Sequence, residues 1–169
     1  NNIDFSKISA KKAAEIRLNE FGFIFQRHFL IDYMTVMENV LTPINSNKKE
    51  DKIKALGLLE KLKIGHLSNK KPFQLSGGQR QRVAIARALI NDPKVIFADE
   101  LTAALDHESA KEVMDFLSEY KKNTLIIVVT HDESILENAD DIIRIRDGRI
   151  MTEEREEADI WNHFQALHL

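Results

Sequence analysis

Apolar and polar positions change period several times along this chain, and each change predicts an element. Phe21-Gly22-Phe23-Ile24-Phe25 is a short aromatic and β-branched run that stops at the polar Gln26, the pattern of a buried strand. From Thr35 to Thr42 and from Lys49 to Leu62, apolar residues recur at helical spacing. In the second stretch they are Ile53, Leu56, Leu59 and Leu62, with lysines on the other faces, so both stretches predict surface helices. Gly77 to Ile90 is alanine-rich and helix-prone, and Asn91-Asp92-Pro93 stops it. Val95 to Ala98 then predicts a strand, Ser109 to Tyr120 a helix and Leu125 to Val129 a strand. This β-α-β alternation implies an α/β fold with a parallel sheet covered by helices on both faces. Residues 142–146 and 149–152 flank Asp147-Gly148, a pair suited to a two-residue hairpin turn.

The remaining segments set the organisation. Residues 1–18 are polar, carry a helical run from Ala10 to Arg17, and open without a start methionine or a cap, which reads as a cut inside a domain whose N-terminal portion is absent. Asn45-Ser46-Asn47 and Gly65-His66-Leu67-Ser68-Asn69 are loop signals, so residues 27–74 read as a small helical insert. At the other end, residues 153–169 predict a C-terminal helix with Ile160, Trp161, Phe164 and Leu167 on one packing face. No internal repeat or low-complexity tract interrupts the pattern.

Length and composition narrow the partners. The 169 residues, 43% hydrophobic, can bury one sizeable core, and length alone favours one domain. The net charge is -3, with 24 basic and 27 acidic side chains mixed along the chain, which argues against nucleic acid as a partner. The absence of cysteine removes disulfides, thiolate metal sites and thiol nucleophiles, and is compatible with a reducing compartment. The strongly apolar run Leu125–Val129 is far below the roughly 20 residues that a membrane-crossing helix needs, so membrane association is expected to be peripheral.

Candidate chemistry clusters at the ends of the predicted strands. Ser76-Gly77-Gly78-Gln79 opens a helix, where adjacent glycines admit close approach and the amides and helix dipole attract an anion such as a phosphate. Taken alone, the same residues also fit an ordinary glycine-rich helix start. Asp99 and Glu100 follow a buried strand at its carboxyl end, where open α/β sheets bind ligands. One acid there can hold magnesium and its neighbour can orient water, although paired acids after a strand also serve simply as a solvated loop. His131 leaves the strand Leu125–Thr130 at the same edge, within reach of a terminal phosphate. His28, His66, His107, His163 and His168 carry no such placement.

The string Leu75 to Arg87, LSGGQRQRVAIAR, resembles the signature motif of the ABC ATPases. The remaining motifs follow in that family's order. Gln26 resembles the Q-loop glutamine that senses magnesium and the attacking water. Val95 to Glu100 resembles the Walker B strand, which makes Asp99 the metal-associated acid and Glu100 the general base. Leu101-Thr102-Ala103-Ala104-Leu105-Asp106 resembles the D-loop, with Asp106 at the position that contacts a partner subunit. His131, in Val-Val-Thr-His-Asp, resembles the switch histidine. The resemblance covers about Phe5 to Ile150 and is nearest to the lipoprotein-releasing and macrolide-exporter transporters. It implies a P-loop NTPase-type sheet, ATP and Mg2+ as ligands, and a second ATPase subunit as partner, with a homodimer expected. Transmembrane permease subunits are further implied partners, at the cytoplasmic face of the membrane. One position departs from the pattern: where the family usually has proline, this chain has Leu101, which frees the local backbone.

None of the glycines, at 22, 57, 65, 77, 78 and 148, opens a Gly-x-x-x-x-Gly-Lys-Ser/Thr run. In the family this phosphate-cradling loop lies upstream of every motif found here, so the chain alone is expected to be inactive, either as a truncated product or because an N-terminal part is omitted. Two other readings remain. A non-catalytic subunit would lend Ser76 to Gln79 to a partner's ATP, and intact Glu100 and His131 argue against that decay. A DNA-repair ATPase would insert a long coiled coil between Gln26 and Leu75, where this chain has a short insert. That insert is the expected permease-facing surface, with Ile31, Tyr33, Met34 and Val36 as candidate contacts or, equally, as the insert's own core.

Overall fold

The computed structural model describes residues 4–44 and 48–151. The loop signal at 45–47 and the C-terminal helix expected over 153–169 lie outside the described residues. The chain divides into two compact units, one spanning Ser9–Ile135 and the other drawn from residues 1–8 and 136–169.

In the larger unit, α1 (Ala10–Glu20) begins at Ser9, whose hydroxyl accepts from the Lys12 N–H, and runs directly into β1 (Phe21–Ile24). Next come α2 (Val36–Leu41), α3 (Lys49–Lys61) and α4 (Gly77–Leu89). Then β2 (Val95–Asp99), α5 (His107–Ser118) and β3 (Leu125–Val129) complete the alternation. The three strands form a parallel sheet in the order β1-β2-β3, with Ile24 level with Ala98, and Ala98 level with Val128. All three therefore end at one edge.

Helix α4 packs on β1. Gly22 permits this: a Cβ at that position would stand 2.7 Å from the Ala88 carbonyl oxygen. The core behind the sheet joins Ile24, Ile96 and Ala98 to Val83, Ile85 and Leu89 of α4 and to Leu59 and Leu62 around the end of α3. Each large side chain buried there contributes roughly 1.5–3 kcal/mol.

On the sheet, Gly22, Ile24, Ile96 and Ala98 are buried, whereas Phe21, Phe23 and Phe97 on the other face are half-buried; the Phe23 and Phe97 rings stack with centroids 5.4 Å apart, and Phe21 meets both edge-on. Two expectations are corrected. Helix α2 is not a surface helix: Val36, Asn39, Val40 and Leu41 are buried because α2 lies against both α3 and α4. Val36 thus belongs to the core and is withdrawn as a partner contact. In α3, Ile53 and Leu56 are exposed while Ala55, Leu58, Leu59 and Leu62 are buried. A strict period of three drifts around a helix of 3.6 residues per turn, so Ile53 and Leu56 fall off the face that Leu59 and Leu62 occupy.

In the smaller unit, β4 (Arg144–Arg146) and β5 (Arg149–Met151) form the expected antiparallel hairpin. Asp147 and Gly148 take φ of 51° and 73°, the positive angles of a tight two-residue turn.

Candidate functional site

The common edge of β1, β2 and β3 gathers the chemistry. Gln26 stands exposed two residues beyond Ile24, Asp99 closes β2, Glu100 follows it, and His131 lies two residues beyond Val129. Glu100 and His131 meet. The His131 N–H donates to Glu100 Oε1 at 3.0 Å, and His131 Nε2 lies 3.7 Å from the same oxygen. The His131 ring is otherwise in solvent, with 99% of its side chain exposed, whereas the Glu100 side chain is only 20% exposed. A sheltered carboxylate beside a free-standing imidazole is an arrangement that can orient water and exchange a proton.

Glu100 adopts a left-handed backbone, φ 47°, which costs a non-glycine residue roughly 1–2 kcal/mol. Its N–H donates to the Val129 carbonyl at 2.9 Å and its own carbonyl accepts from Ala103 N–H at 3.1 Å. Leu101, directly after it, is fully buried in the core.

The other candidate residues lie at the start of α4, in a cleft that does not include Gln26, Asp99, Glu100 or His131. Ser76 caps the helix reciprocally: its Oγ accepts from Gln79 N–H at 3.2 Å, and Gln79 Oε1 accepts from Ser76 N–H at 2.9 Å. Gln79 is therefore a capping residue here, and the Ser76 hydroxyl proton stays available to an acceptor outside. Gly77 and Gly78 supply first-turn N–H groups that have no partner within the helix. The glycines also let this turn lie against the D-loop segment, since a Cβ on Gly78 would stand 2.9 Å from Leu105 Cδ2. Ser76 to Gln79 and Ala104 to Asp106 together line a cleft of about 470 Å³, with Lys63 and Arg82 on its wall.

Asp106 caps α5, accepting from the Ser109 N–H at 2.9 Å and the Ser109 hydroxyl at 3.0 Å, and these bonds hold its carboxyl below the usual range. Farther along α5, Glu112 accepts from Lys63 Nζ at 2.6 Å and from Arg82 Nη2 at 3.2 Å. Lys63 first, then Arg82, keep Glu112 ionised below its ordinary range. Helices α4 and α5 are thereby tied by charge.

Asp99 and Gln26 offer hard oxygen donors at the sheet edge. Among the described residues no group of three or more His, Cys, Asp or Glu side chains could hold a metal by itself. The set fits magnesium that arrives with phosphate oxygens and water, which needs only one or two protein carboxylates.

Two residues that hold the segment after Gln26 were not singled out from the sequence. Arg87 of α4 donates to the carbonyls of Phe29 and His28, and the buried Asn39 accepts from Ile31 N–H while donating to the carbonyls of Ile31, Met34 and Thr35. Together they hold the chain that follows Gln26. A charged residue inside an alanine-rich buried helix was the available signal for Arg87, because such a group requires partners.

A family model described as ABC transporter matches residues 1–103. The macrolide export ATP-binding/permease protein MacB of Shewanella sp. (strain W3-18-1) is 45% identical over 159 residues, which cover 92% of this chain and 25% of that protein. MacB of Neisseria meningitidis serogroup A / serotype 4A is 40% identical over 164 residues, 95% of this chain and 26% of that protein. The chain thus spans about a quarter of the length of these relatives. Among solved structures, the dimeric MJ0796, a bacterial ABC transporter cassette, superposes with a TM-score of 0.82 at 36% identity, covering 89% of this chain and 69% of that one. A post-hydrolysis state of the MJ0796 cassette bound to ADP and Pi gives 0.82 at 37% identity, covering 93% and 70%.

Proposed function

The chain belongs to the ABC transporter family, and from that premise we propose that it is the ATP-hydrolysing part of a transporter, acting on ATP shared between two copies. The observation that carries this reading is the Glu100–His131 pair at the sheet edge, with Asp99 and Gln26 at the same edge. Glu100 takes a proton from the attacking water, His131 contacts the terminal phosphate, and Gln26 orients the water. Asp99 would be the residue that associates with Mg2+, which when bound would supply charge neutralisation to the phosphates. Ser76 and the amides of Gly77 and Gly78 face the terminal phosphate held by the opposite copy, with Asp106 at the contact between copies. The dimeric state of the related cassette supports that arrangement.

The permease fused within the MacB relatives supports a membrane-spanning partner, with the chain peripheral at the cytoplasmic face. No helix among the described residues is long and apolar enough to cross a membrane. Tyr33 is 74% exposed, and Phe25 and Phe29 nearby are exposed too, which supports the segment after Gln26 as the permease contact. Met34 and Ile31 are half-buried at its margin. Cysteines at Tyr33 and Met34 should cross-link to the permease; capture from the opposite face alone would remove this surface from the proposal.

The deciding experiment is Glu100→Gln in a nucleotide-competent transporter that contains this chain. Phosphate release should fall by roughly 10²–10⁴-fold while ATP still binds. An undiminished rate would assign proton abstraction to another group.

A further inference from the structure

We propose that Lys63 is a further phosphate-binding residue of the cleft at the start of α4: its ammonium leaves Glu112 and pairs with a phosphate oxygen of the nucleotide held by the opposite copy. The inference rests on the shared-site reading of Ser76, Gly77 and Gly78.

The backbone carries a lysine where a glycine would be at ease. After α3 the Lys63 N–H donates to the Glu60 carbonyl at 2.9 Å and the Ile64 N–H to the Leu59 carbonyl at 2.8 Å, a Schellman ending whose left-handed position falls on Lys63, φ 60°. Glycine takes such an angle without steric conflict. Ile64, next in the chain, is buried, so the turn is anchored and the lysine side chain leaves from a fixed point on the cleft wall.

Three charges meet at that wall. The Arg82 side chain, 12% exposed, is committed through both Nη atoms, donating to the Leu62 carbonyl at 3.0 Å and to Glu112 Oε2 at 3.2 Å. Lys63 donates to Glu112 Oε1 at 2.6 Å, but its side chain is 68% exposed, and an ion pair so open to solvent holds its partner weakly. When Lys63 departs, Arg82 still neutralises Glu112. Two cations thus share one carboxylate, and one positive charge is in surplus. Asp106, the acid of the cleft lining, has both carboxylate oxygens engaged by Ser109. The same cleft is lined by Ser76, Gly77 and Gly78, so an anion entering it meets their O–H and N–H donors together with the surplus cation.

The test uses a nucleotide-competent form that contains this chain, with a non-hydrolysable ATP analogue as the probe. Light scattering reads dimerisation, and thermal melts of the nucleotide-free proteins read the fold. Lys63→Gln should need roughly tenfold more analogue to dimerise, as expected for one lost hydrogen bond to a charged group. Lys63→Gly separates binding from folding. It removes the ammonium while easing the left-handed turn, so it should show the same loss with a Tm at or above wild type. A dimerisation curve for Lys63→Gly that matches wild type overturns the proposal, because only the ammonium is then missing. The shared site fails separately. Gly78→Asp that dimerises like wild type removes that reading and this inference with it, whereas a blocked Gly78→Asp beside an unaffected Lys63→Gly removes Lys63 alone.

Discussion

Arg87 Nη2 donates to the His28 carbonyl at 2.8 Å across 59 residues of sequence, and Nη1 donates to the adjacent Phe29 carbonyl at 2.7 Å. Phe29 itself has φ 45°. The signature helix therefore grips the turn that follows Gln26, linking two motifs far apart in the chain. Lysine at 87 would keep the charge and lose the fork that spans two carbonyls. Arg87→Lys should cost about 2 kcal/mol, which for a chain of this size lowers Tm by about 4–8 °C in a thermal melt. An unchanged Tm would mean that water replaces the grip at no cost.

His28 gives the fold a pH response. Its Nε2 is buried, with no hydrogen-bond partner among the described residues. Burial first, then the positive charges of Arg80 and Arg87, hold its pKa below the ordinary 6.5. The unfolded chain then binds the proton more readily than the folded one, so the contribution of neutral His28 is intact above about pH 6.5 and is lost as pH falls below that value. Thermal melts from pH 7.5 to 5.5 should show a steeper loss of Tm for wild type than for His28→Gln. Parallel curves would remove His28 as the source.

The strands and the polar residues at their ends were legible in the sequence because apolar runs stop abruptly there: Ile24 shortly before Gln26, Ala98 before Asp99, Val129 shortly before His131. The helix starts were legible for a similar local reason, since Ser76 and Asp106 cap the turns that follow them. What escaped depends on distant partners. Six residues of α2 are too few to define a face, so its burial between α3 and α4 could not be read. The left-handed Glu100 is bonded through its N–H to Val129 on the adjacent strand, a distant partner that its local sequence does not announce. Asn39, four hydrogen bonds deep in the insert, looked like any polar residue in a helix.

Gly78 separates charge from bulk. Aspartate there would set a carboxylate against a phosphate from the opposite copy, and any side chain would press on Leu105, the flexible end of which stands 2.9 Å from a Cβ. In a nucleotide-competent form, Gly78→Asp should abolish ATP-driven dimerisation in light scattering, whereas Gly78→Ala should only weaken it as Leu105 yields. Equal loss in both would make packing, not charge, the determinant. Wild-type dimerisation by Gly78→Asp would contradict the shared site.

The polypeptide of residues 1–169, tested alone, should bind Mg-ATP poorly. Micromolar affinity requires about 8 kcal/mol. A P-loop supplies most of that through a lysine, a row of amides and a hydroxyl on the metal, and no glycine in these residues opens such a run. The amides of Gly77 and Gly78 and the dipole of α4 remain, worth only about 0.3–1 kcal/mol per favourable charge at an exposed helix start. At the sheet edge, Asp99 and Glu100 repel phosphate unless a metal intervenes, and the described residues hold no acidic cluster that would retain one beforehand. Calorimetric titration with Mg-ATP should therefore give little heat, while a polypeptide that also carries a P-loop should saturate. Micromolar binding by residues 1–169 would mean that side chains other than these hold the nucleotide, and the Lys63 and Arg82 wall of the signature cleft would be the first place to look.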